Sequence, residues 1–151
     1  HGRSFRDHYD TPCNYDEIKF FVEALKIPVI GNGDISDLAT LQKMLATGVS
    51  GAMIGRAMIG QPWLIGKLMA EAKGEKFISP TPREIGAIFF EHIARLKELL
   101  GSEKIAILQA RTLVGHYVKA LPERRKFCIA FNACNTLAEI KKLCEEFFSV
   151  E

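Results

Sequence analysis

Two short apolar runs, each closed at once by glycine and flanked by helix-like stretches, constrain this chain more than any other feature. Ile27-Pro28-Val29-Ile30 runs into Gly31-Asn32-Gly33-Asp34, and Gly51-Ala52-Met53-Ile54 runs into Gly55-Arg56. A continuous apolar run with glycine directly behind it is the pattern of a buried parallel strand. Asn14-Tyr15-Asp16-Glu17 reads as a capping box opening a helix that reaches about Lys26. Ser36 or Asp37 opens a second helix, with Leu38, Leu41, Met44 and Leu45 on one face and Gly48 as its stop. A third follows Pro62 and runs to about Lys73. The order helix, strand, helix, strand, helix requires a parallel sheet with right-handed crossovers.

Two strands alone leave both faces and both edges of a sheet open. A TIM (β/α)8 barrel takes about 250 residues, so residues 1–76 supply at most its last quarter. The other strands must come from further chain or from a partner, and strands left unpaired favour self-association. The chain opens on His1, with neither an initiator Met nor an apolar leader. The expectation is therefore no signal peptide, and a fragment of a longer protein.

Residues 80–151 carry no strand pattern and read as a four-helix bundle domain, joined to the first part through Gly74 to Pro80. Thr81-Pro82-Arg83-Glu84 is a capping box with proline at the first helical position. Ile85, Ile88, Phe89, Ile93, Leu96 and Leu100 follow at helical spacing to Gly101. Ser102 opens a helix whose apolar face is read as Ile105, Leu108, Thr112, Leu113 and Tyr117, ending before Pro122. A third helix spans about 123–133, and Thr136-Leu137-Ala138-Glu139 caps a fourth with Ile140, Leu143, Phe147 and Phe148 as its stripe.

Composition narrows the class. With 48% hydrophobic and 25% charged residues and a net charge of +2, the 151 residues describe a soluble globular protein. A disordered tail, a collagen-like fibre and a disulfide scaffold are excluded, and no apolar run is long enough to span a membrane. Cys13, Cys128, Cys134 and Cys144 form no CxxC pair and no metal-ligand spacing, as expected of reduced thiols in a cytoplasmic protein. Positive charge is concentrated: residues 103–126 hold six basic and two acidic residues, net +4.

The two glycine loops carry the chemistry. Each sits at the carboxyl end of a strand, just before a helix, where backbone can approach a phosphate and a helix N-terminus adds partial positive charge. In barrels the loops after the seventh and eighth strands commonly do this. Asn32, Gly33, Gly55 and Arg56 are the candidates, with Arg56 able to pair directly with phosphate. Asp34 is negative and reads as a helix-start or backbone residue. His1, before Gly2-Arg3, could hydrogen-bond a ligand at the end of a preceding strand.

The segments HGRS (1–4), IPVIGNGDI (27–35) and GAMIGRAMIGQPWLI (51–65) resemble the closing segments of tRNA-dihydrouridine synthases, and the resemblance extends over essentially the whole chain. Arg111 to Pro122, with Tyr117 and Lys119, is similar to that family's helical-domain pattern. Thr112-Leu113 stands there in place of Lys-His, His116 in place of Trp, and Phe5 in place of a second Arg after HGRS. The resemblance implies an FMN-dependent barrel with a C-terminal helical tRNA-binding domain, reducing uridine to dihydrouridine with NADPH as reductant. It places His1 against the flavin, and Asn32, Gly33, Asp34, Gly55 and Arg56 around the ribityl-phosphate. The family's proton-donating Cys and flavin-side Lys lie in earlier barrel strands, Cys13 does not occupy that position, and no catalytic residue is expected here. Arg111, Lys119, Arg124, Arg125 and Lys126 become an RNA-docking face, whereas Phe127 and Phe131 read as core. The isolated chain is expected to show no turnover and little FMN affinity. The competing readings are another FMN or phosphate-binding barrel, such as one resembling dihydroorotate dehydrogenases, and a catalytically inert RNA-binding helical module.

Overall fold

The computed structural model describes residues 1–8 and 10–149; Tyr9, Val150 and Glu151 lie outside them. The chain divides into two compact units, residues 1–58 with 62–78, and residues 59–61 with 79 onward.

The first unit holds α1 (Tyr15–Ala24), β1 (Ile30–Asn32), α2 (Leu38–Leu45), β2 (Gly51–Met53), a 3-10 turn (Arg56–Met58) and α3 (Leu64–Ala72). The strands pair in parallel, Ile30 opposite Gly51 and Asn32 opposite Met53. β1 starts and ends later than the apolar run predicts. Pro28 has no N–H to give a ladder and Ile27 is exposed, while the strand continues through Gly31 and Asn32, which the sequence assigns to the loop. Asn14 caps α1 by accepting from the Asp16 and Glu17 amides. Asp37, not Ser36, caps α2, and Thr40 returns the bond.

The sheet is one-sided. Gly31 is buried against Met44 and Val49, and its partner Ala52 shares that face. The alternate residues Ile30 and Met53 are 60% and 59% exposed. Beneath the covered face Cys13, Ile18, Ile35, Met44, Val49, Leu64 and Leu68 form one cluster.

The second unit holds α4 (Pro82–Leu100), α5 (Glu103–Tyr117), α6 (Arg124–Ala133) and α7 (Leu137–Phe147). α4 packs on α5 and α7, α5 on α6, and α6 on α7, so the contacts close a ring of four helices. The Thr81/Glu84 and Thr136/Glu139 boxes form with both halves in place, and Gly101 ends α4 in the left-handed conformation. Phe89, Phe127, Phe131, Tyr117 and Phe148 lie at the centre, confirming Phe127 and Phe131 as core.

The face read for α5 needs correction. Its buried residues are Ala106, Ile107, Ala110, Val114 and Tyr117, whereas Ile105 and Leu108 are each 47% exposed. α6 begins at Arg124, after Glu123 in a left-handed conformation. Gly60, from the GxPW motif, has φ +78, and a Cβ there would lie 2.4 Å from the backbone carbon of His116, so only glycine fits.

A cleft at the carboxyl ends of the strands

Asn32 closes β1 and turns its side chain sideways, Nδ2 donating to the Met53 carbonyl at 2.7 Å. The two strand ends, and hence the two glycine loops, are thereby tied together. Gly33 follows with φ +143. A Cβ at Gly33 would sit 2.3 Å from Cys13 Sγ, and one at Gly2 would sit 2.7 Å from the same sulfur. Cys13 is thus a buried packing residue between two glycines. Burial raises its thiol pKa, as burial pushes that of Cys144 up to about 12.

Of the two roles the sequence allows Asp34, the structure supports the backbone one and not the helix start. It does not start α2, which Asp37 caps, and it is left-handed itself, with φ 51. Its carboxylate gathers three donors. Oδ2 accepts from the Arg3 guanidinium and from the Cys13 N–H at 3.0 Å, and Oδ1 accepts from Arg56 Nη2 at 3.2 Å. The hydrogen bond from Arg3, reinforced by the Cys13 amide and the charges of both arginines, holds this carboxyl below the usual aspartate range. Arg3 is 9% exposed, Asp34 32% and Arg56 57%.

His1 is exposed, and its Nδ1 accepts the Arg3 N–H at 3.0 Å, which assigns the ring proton to Nε2. His1, Asn32, Gly33, Asp34, Gly55 and Arg56 all line one cleft of about 440 Å3, with Ile35, Ser36, Met53 and Ala57 completing the wall. All six residues singled out from the sequence for the cofactor therefore meet at one place. Arg3 was missed, although it stands in the HGRS motif.

The basic residues of the second unit are less uniform. Lys119, Arg124, Arg125 and Lys126 are exposed, and Lys126 pairs with Glu123 at 2.8 Å. Arg111 is half-buried instead. Its Nη2 donates to the Cys134 carbonyl at the end of α6, and its Nε is buried without a partner. Three cations in the first turn of α6 oppose the helix dipole, an arrangement that helix stability alone does not favour. Among the described residues no helix is long and apolar enough to cross a membrane, and no cluster of His, Cys, Asp or Glu could hold a metal ion.

Two parallel strands alternating with helices, with glycine loops at their carboxyl ends, mark the first unit as α/β. Comparison with known proteins narrows the class: the dihydrouridine synthase (Dus) family model matches residues 1–151, and the chain belongs to that family. A probable tRNA-dihydrouridine synthase of Rickettsia conorii is 34% identical over 151 residues, covering 99% of this chain and 45% of that protein. The tRNA-dihydrouridine synthase B of Pseudomonas putida is 36% identical over 135 residues, 88% of this chain and 40% of the relative. That of Pseudomonas syringae pv. tomato is 34% identical over 151 residues, 99% of this chain and 44% of its own length. The chain spans less than half the length of these relatives.

Proposed function

We propose that this chain is the part of a cytoplasmic, flavin-dependent tRNA-dihydrouridine synthase that grips the phosphate end of FMN and docks tRNA. The carrying observation is the cleft that gathers the two strand-end loops, His1 and Arg56. Its residues fit that end of the cofactor: Gly55 has no side chain to block the backbone, and Arg56 supplies a cation on an exposed wall. His1 offers its Nε2 proton to a ligand oxygen. FMN, kept reduced by NADPH, would supply the hydride for the uracil ring in the whole enzyme. This chain's residues bind and orient. The bare face of the sheet, carrying Ile30 and Met53, is where the remaining strands of a TIM barrel would close over the site.

The helical unit serves the RNA. Lys119, Arg124, Arg125 and Lys126 neutralise backbone phosphates, and the α6 N-terminus adds to their attraction. Arg111 braces α5 against α6. The relatives' name, tRNA-dihydrouridine synthase, supports this assignment of substrate.

The test restores the upstream half of the protein. The longer chain should copurify with flavin, and Arg56→Ala should lower its affinity for FMN while leaving that for riboflavin, which lacks the phosphate, unchanged. Equal losses for both flavins would reject the phosphate assignment. For the 151-residue chain alone, no turnover is expected.

A further inference from the structure

The cleft contains an apparent contradiction. A site built to attract an anion has a carboxylate, Asp34, in its wall. Left to itself this charge would repel a phosphate and draw Arg56 away from it. Asp34 is not left to itself, because Arg3 lies behind it, nearly buried and turned back across its own loop. Its Nε donates to the Thr11 carbonyl and its Nη2 to Asp34 Oδ2. The planar guanidinium serves both acceptors from fixed positions, which a lysine cannot do. The Cys13 amide adds a second donor to the same oxygen. Asp7, the other carboxylate near Arg3, is engaged by the Ser4 amide at 2.6 Å.

We propose that Arg3 is a positioning residue for the anion cleft. It cancels the charge of Asp34, so that the second oxygen of that carboxylate can orient Arg56 without turning the wall against a phosphate. The three groups together carry one net positive charge, and without Arg3 they carry none. The left-handed backbone of Asp34 fits this role. Aspartate is among the few L-residues that adopt this conformation, because its short carboxylate can be held by nearby donors, here Arg3 and the Cys13 amide. The proposal rests on the phosphate reading of the cleft, and its test separates the two.

Sulfate, a dianion that does not titrate near neutrality, is the probe, read by amide NMR shifts at Gly33 and Gly55 in the flavin-free longer chain with its upstream half restored. Arg3→Gln should weaken sulfate binding about tenfold, within the range of coupled charge pairs. Arg3→Gln combined with Asp34→Asn should bring it back close to the unaltered chain, because the charge that Arg3 cancelled is gone. Simple loss of structure predicts the opposite, a double variant at least as weak as the single one. A double variant that stays weak, or an Arg3→Gln chain that binds normally, overturns the role of Arg3 while leaving the cleft an anion site. No sulfate response in the unaltered chain overturns the phosphate reading and this proposal with it.

Discussion

At Asp34 three donors converge on one carboxylate, and that convergence sets a pH dependence. The folded carboxyl titrates below its unfolded value, chiefly through the Arg3 hydrogen bond. It therefore contributes stability that is fully present above an unfolded aspartate's pKa of about 3.9 and is lost as pH falls through the lower folded value. Asp34→Asn should be less stable than the unaltered chain at pH 7, by about 1 kcal/mol or less for a partly exposed pair. In urea titrations the difference should close as pH falls through the lowered titration of the folded carboxyl; a gap that persists in strong acid would mean that Asp34 acts by shape, not charge. The loop residues around it were legible because glycine, asparagine and arginine at a strand end carry chemical meaning locally. Arg3 was not legible as their partner. Its contact spans 31 positions, and no periodicity reports where a loop side chain folds back.

Among the helices, the caps were read most faithfully and the α5 face least. Capping boxes are local, four residues long and nearly self-contained. Thr136→Ala removes the acceptor for the Glu139 amide, and should cost the helical unit about 1 kcal/mol in denaturant titrations. No change would mean that packing alone holds the start of α7. On α5 the large residues Ile105 and Leu108 suggested one stripe, yet the buried stripe runs through Ala106 and Ala110. A close helix contact selects small side chains, which carry little weight in an apolar pattern. Tyr117 belongs to both stripes and was placed correctly. Its hydroxyl lies 3.0 Å from His92 Nδ1 and its ring 4.7 Å from that of Phe89.

Across the whole molecule, the two units differ in how complete they are. The helices of the second close a ring around their own aromatic core. The sheet of the first has one covered face, with Ile30 and Met53 open on the other. Phe20, Phe21 and Ile27 are also exposed in that unit, at 64%, 54% and 67%. Such apolar surface on α1, before β1 and on the two short strands invites pairing with another copy. Sedimentation of the 151-residue chain should show concentration-dependent association that Ile30→Lys reduces; a monomer at all concentrations would show that this face is tolerated bare. The parallel order of the strands was legible from glycine placement. The extent of each strand was not, because Pro28 moved the start and the Asn32 cross-strand bond carried the end past a glycine.

That same bond bears on how the molecule ages. Asparagine followed by glycine is the dipeptide most open to deamidation, since the next backbone nitrogen meets little steric hindrance in attacking the side-chain carbonyl. In the folded chain the Asn32 amide is occupied with Met53. Conversion to aspartate would set a carboxylate against that carbonyl, acceptor against acceptor, and add to the cleft a charge with no arginine assigned to it. Storage time and partial unfolding thus become chemical variables for this protein, acting first where its strands are fastened together.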